Sequence, residues 1–114
     1  MTTLGTFKYD NLFAGSAEVI TGSVVAGAKL TRGTVVGLIS ATEKAVAVDS
    51  TKADGSEKPY GIVAEDVEID KPAIVYLTGE FNQSALTFGG TDTAGTHKIA
   101  LRNIGIFLKG NIEA

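Results

Sequence analysis

The chain has no cysteine and no tryptophan, one histidine and only two prolines among its 114 residues. Without cysteine there is no disulfide, no thiolate metal site and no cysteine nucleophile. A single histidine, His97, excludes any site that needs two. Arginine occurs twice, at Arg32 and Arg102, with no basic cluster around either. Net charge is -3, so the Lys/Arg footprint that a nucleic-acid partner demands is missing. No apolar run approaches the roughly 18 residues of a membrane helix. The start, MTTLGTFKYDNLF, lacks the basic and apolar segments of a secretory signal.

What is present is glycine, at 14 residues, among aliphatic and β-branched residues. That mixture favours short strands joined by turns over a helix bundle. The length favours one domain with one modest core. Stability has to come from packing or from subunit association, since neither disulfides nor thiolate-bound metals can contribute.

Residues 1–16 are polar with spaced aromatics and read as an arm ahead of a single domain over 17–114. Phe7, Tyr9 and Phe13 fall on odd positions, so an extended chain points them to one side. They belong either to a strand packed on its own domain or to an arm that docks elsewhere. AEVITGSVVAGAKL (17–30) reads as a short strand, a glycine turn and a second extended piece. RGTVVGLIS (32–40) and AVAVD (45–49) form a hairpin around ATEK. Ser50–Pro59 is a polar loop with an Asp54–Gly55 turn pair. YGIVAEDVEI (60–69), AIVYLTG (73–79) and IGIFLKG (104–110) read as further strands. One helix is expected over HKIALRN (97–103), capped by Thr93 or Thr96, with Ala100, Leu101 and Ile104 on one side and Gly105 closing it. The fold class is therefore mainly β (α+β), with one short helix near the C-terminus.

Three stretches invite a chemical reading. In EDVEID, Asp66, Glu68 and Asp70 alternate with Val67 and Ile69, the pattern of a half-buried strand with a solvated acidic face. A calcium loop needs glycine at its sixth position, where this run has Lys71, so no metal is expected. His97 reads as a surface residue in a first helical turn. In YLTGEFNQSAL (76–86), Glu80 lacks the second titratable group that an acid/base pair requires. A structural corner explains the same residues: Gly79 bends the strand, Phe81 anchors in the core, and Asn82 caps a short helical turn over Gln83–Leu86.

The ordered set RGTVVG (32–37), DGSEKPYGIVAEDVEI (54–69), VYLTGEFN (75–82) and ALRNIGIFLK (100–109) resembles the lambda-type bacteriophage head decoration proteins over residues 16–110. The resemblance implies a structural virion protein and no cofactor. It implies a homotrimer on the outside of the expanded capsid, made in the host cytoplasm, whose partner is the major capsid protein and which stabilises the shell as a cement protein. It further implies a small β-clip-like domain of bent strand ribbons, and an N-terminal segment that orders by pairing with coat-protein strands. Residues 1–16 occupy that segment's place. The family has no catalytic residues to carry over. Two other readings stand beside it: a small ligand- or sugar-binding module or enzyme using the acidic loop regions, and a different strand-rich phage cement or tail component.

Overall fold

The computed structural model describes residues 19–109. It is built from short strands, β1 (Thr21–Ala26), β2 (Val35–Leu38), β3 (Lys44–Ala47), β4 (Gly61–Val63), β5 (Pro72–Tyr76), β6 (Gly79–Asn82) and β7 (Ile106–Lys109), with one helix, α1 (Ala94–Asn103). The first five bend far enough to close on themselves, in the order β1-β3-β2-β4-β5. β6 and β7 form a separate two-stranded parallel sheet.

Two apolar clusters explain why these sequences become these strands. Inside the barrel lie Ala26, Leu30, Val36, Ala45, Val63, Ala73 and Val75. Several are alanines, as a bore of five strands requires. Outside it, Val35, Val48, Ile62, Phe81, Leu101, Ile106 and Leu108 fill the space between the barrel and the layer made of α1, β6 and β7. Consecutive residues of β2 and β4 therefore serve opposite cores: Val35 and Ile62 face out, Val36 and Val63 face in. This is why VVGL and GIV read as unbroken apolar runs rather than alternating ones. β5 has a solvated outer face over much of its length and alternates, with Ala73 and Val75 buried and Pro72 and Ile74 exposed.

Gly37 of β2 has no room for a side chain. A Cβ there would lie 2.5 Å from the Ser56 carbonyl oxygen and 2.6 Å from that of Lys58. The polar loop 50–59 thus lies with its backbone directly on β2, and only glycine admits that approach.

The hairpin expected around ATEK forms, with β2 and β3 antiparallel in the register Val36↔Ala47, Gly37↔Val46. The glycine turn expected within 17–30 falls at Gly27–Ala28, after β1, which pairs with β5 from Thr21↔Tyr76 to Val25↔Pro72. Two local expectations are corrected. The strand expected over 60–69 stops at Val63, and beyond it only a bridge between Leu30 and Val67 keeps the pattern. Asp70 takes a positive φ of 67° in a turn with Ile69, while Asp66 and Glu68 flank the bridged Val67, and all three acidic residues are exposed. On α1 the buried residues are His97 and Leu101, while Ala100 and Ile104 are exposed. The helix lies outside the fold and buries only one narrow i, i+4 stripe.

Candidate functional site

The corner at YLTGEFNQSAL is built as its residue types require. Gly79 opens β6 with φ +145°, a conformation that side chains other than hydrogen rarely adopt. A Cβ there would also meet the Phe81 ring at 2.9 Å. The Gly79 N–H donates to the Gly105 carbonyl at 3.1 Å, which ties the corner to the end of α1. Phe81 is fully buried, its ring 5.7 Å from that of Tyr76 and tilted by 42°. Asn82 accepts from the Ser84 N–H at 3.2 Å and from the Ser84 hydroxyl at 2.9 Å, capping the 3₁₀ turn Gln83–Ala85. Glu80 alternates with these residues, on the outer side of β6, and the fold brings Lys109 to 3.9 Å from it. An exposed pair at that distance contributes little, and neither a second carboxylate nor a histidine is paired with Glu80 among the described residues.

The corner is also where the N-terminal segment joins the body. Ile20 accepts from the Leu77 N–H at 2.6 Å and donates its own N–H to Thr78 Oγ1 at 3.1 Å. Val19 stands 3.4 Å from the position of a Gly79 Cβ. Leu77, Thr78 and Gly79 thus hold Val19 and Ile20 against the corner. Phe7, Tyr9 and Phe13 lie outside the described residues.

His97 is not on the surface. It stacks on Phe88, with ring centroids 5.8 Å apart and planes within 8°, and its Nε2 lies 2.6 Å from Asp92 Oδ2. His97 and Asp92 side chains are each only 4% exposed. Asp92 also accepts from the Ser50 N–H at 2.6 Å and the Ser50 hydroxyl at 2.7 Å. The Ser50 hydrogen bond holds the Asp92 carboxyl below the usual carboxylate range, helped by His97, while burial pushes the other way. Serine, aspartate and histidine meet here, but in an order that cannot activate the serine. The carboxylate lies between hydroxyl and imidazole, so the Ser50 Oγ bonds to Asp92 and not to the His97 ring that a nucleophile–base pair needs. The cluster fastens the start of the 50–59 loop to the start of α1. Sequence reading missed it because its members are 5 and 42 residues apart. The i, i+4 spacing of His97 and Leu101 was the available signal.

Asp66 accepts from the Arg32 N–H at 2.9 Å, and Asp70 pairs with Lys44 at 2.9 Å. No group of three or more potential ligands gathers anywhere among the described residues.

The polar residues of the described fold are thus spent largely on caps, turns and loop ties. The family model for bacteriophage lambda head decoration protein D matches residues 2–106. The chain belongs to this family. The match takes in Phe7, Tyr9 and Phe13, so the N-terminal segment is part of what is shared. No curated protein sequence matches the chain. Head decoration proteins are structural components of the phage virion associated with its capsid, and a site made of caps and anchors is what such a protein needs.

Proposed function

We propose that the protein binds the outside of the expanded capsid as a homotrimer, contacts the major capsid protein through its N-terminal arm, and stiffens the shell by clamping neighbouring coat subunits. The observation that carries this reading is the family match over residues 2–106, arm included. In this reading residues 1–16 are the docking arm and 17–114 the decoration domain, a β-clip-like ribbon whose strands have closed up. Phe7, Tyr9 and Phe13 supply one-sided aromatic contact to a coat-protein strand edge. Gly79, Phe81 and Asn82 hold the arm's base in a fixed direction. Ordering about ten arm residues costs on the order of 1 kcal/mol or more apiece, so a single arm holds weakly. Three arms on one trimer bind in near-intramolecular steps, and avidity rises by about 10²–10⁴.

The test is deletion of residues 2–13, read by light scattering, thermal melting and capsid binding together. The deletion variant is expected to remain a folded trimer that no longer holds the capsid. Full binding by the truncated protein would overturn the docking role. Loss of folding would place the arm in its own domain's core.

A further inference from the structure

Asp54–Gly55 is the one Asp–Gly pair in the sequence. Such pairs cyclise by themselves, because glycine has no side chain to hinder its nitrogen. The glycine amide nitrogen bonds to the aspartate Cγ. The hydroxyl of the protonated carboxyl leaves as water with the nitrogen's proton, and a succinimide ring results. Water then reopens the ring at either carbonyl, giving back aspartate or giving isoaspartate, whose main chain runs through Cβ and Cγ. Burial does not prevent this here. Asp54 is exposed, on the wall of an open pocket shared with Ser40, Glu57 and Lys58, so water reaches it. Hydrogen bonds hold both reacting groups instead. Asp54 Oδ1 accepts from the Ser56 N–H at 3.0 Å and from the Ser56 hydroxyl at 2.6 Å. The Gly55 N–H donates to Glu57 Oε1 at 2.8 Å. Each group is thus engaged with a residue further along the loop rather than with the other. The Ser56 hydrogen bonds also hold the Asp54 carboxyl below the usual carboxylate range, and an ionised carboxylate has no hydroxyl to lose.

The frame around the pair excludes the product as well. Ser56 is fully buried, and its carbonyl accepts from the Asp49 N–H at 3.3 Å. The Asp54 carbonyl accepts from the Ser40 N–H at 2.7 Å. Between these anchors Gly55 takes a φ of +106°, and a Cβ on it would lie 2.7 Å from the Leu38 carbonyl oxygen. An isoaspartyl link lengthens the main chain by one carbon exactly where the loop is packed on β2, and there is no slack to take it up. We propose that Asp54–Gly55 is a latent self-modification site, which Ser56 and Glu57 keep closed while the 50–59 loop lies on β2, and which converts to isoaspartate once the loop lifts. Ser56 and Glu57 act as positioning residues, holding the carboxyl and the amide apart. A virion component is not renewed after assembly, so wear at this pair accumulates, and the guard bears on how long the protein keeps its loop in place. The proposal is independent of how the protein meets the capsid.

The test ages the full-length chain in warm neutral buffer for weeks and measures isoaspartate at Asp54 by peptide mapping. The folded protein is expected to form it at least about tenfold more slowly than the same chain unfolded in guanidinium chloride, because the reaction waits for local opening of the loop. Ser56→Ala and Glu57→Ala are each expected to raise the folded rate by about fivefold or more, the worth of roughly one hydrogen bond. Glu57→Gln keeps an acceptor for the Gly55 N–H and is expected to age as the parent does. Leu30→Ala weakens the fold from inside the barrel, away from the loop, and is also expected to age as the parent does, which separates loss of the guard from loss of stability. Equal rates in the folded and unfolded parent overturn the proposal. A rise in Leu30→Ala as large as in the guard variants overturns it too. Glu57 is only partly buried, so Glu57→Ala remains decisive even where Ser56→Ala fails to fold, and ageing of Glu57→Ala at the parent's rate overturns the proposal.

Discussion

Replacing Phe81 by alanine removes the largest fully buried side chain among the described residues, from the place where β6, the Tyr76 ring and α1 meet. A buried aromatic hides about 150–250 Å² from water, which at about 25 cal/mol per Å² corresponds to roughly 4–6 kcal/mol of transfer free energy. Partial collapse of the cavity recovers some of this, and measured Phe→Ala costs of about 3–5 kcal/mol are the better guide. Domains of this size have about 5–15 kcal/mol in all, so the variant is expected to be folded but marginal. A loss of that size lowers Tm by more than about 10 °C. The assay is guanidinium unfolding followed by far-UV circular dichroism, since the chain has no tryptophan to report by fluorescence. It is run at several protein concentrations, to separate subunit dissociation from unfolding. Glu80→Gln, on the same strand but the opposite face, is the control and is expected to stay within about 0.5 kcal/mol of the parent. A Phe81→Ala loss below about 1 kcal/mol, or an equal loss in the control, would refute the corner as an anchor.

Three further outcomes follow from named contacts. Gly37→Ala is expected to destabilise more than the roughly 1–3 kcal/mol of ordinary overpacking, because its Cβ meets two carbonyl oxygens that no rotamer change can move; a thermal melt within error of the parent would refute the close loop contact. Hydrogen bonds lower the carboxyl of Asp92, chiefly from Ser50, that of Asp49 from Thr51, and that of Asp54 from Ser56. Their folded values lie below the unfolded one near 3.9, so the stability they add is complete above about pH 4 and is lost as pH falls through the folded values. Melting temperature is therefore expected to be flat from about pH 7 to 5 and to fall below about pH 4, more shallowly in Asp92→Asn. Phe88→Ala is expected to raise exchange rates in both the 50–59 loop and the first turn of α1, since it removes the ring on which His97 stacks; exchange that changes in neither would refute the cluster as a tie.

What could be read from the sequence were features whose cause is local. The corner was legible because glycine, a buried aromatic and an asparagine cap act within four residues, and all three do what their types require. The hairpin around ATEK, the Gly105 helix stop and the strand-rich class were legible for the same reason. The features missed have non-local causes. The acidic run leaves strand geometry because Asp70 must turn the chain into β5. His97 is buried because Phe88, Asp92 and Ser50 surround it, and nothing in HKIALRN announces them. Closure of the barrel depends on two residue pairs between β1 and β3, too few to leave a pattern.

The central claim, that the protein decorates the mature head, is tested most directly by mixing purified full-length protein with undecorated expanded capsids and, separately, with unexpanded ones, then sedimenting both. The account predicts saturable binding to expanded capsids in multiples of three copies, and none to unexpanded capsids. Absence from the expanded-capsid pellet, or equal binding to both forms, would contradict it.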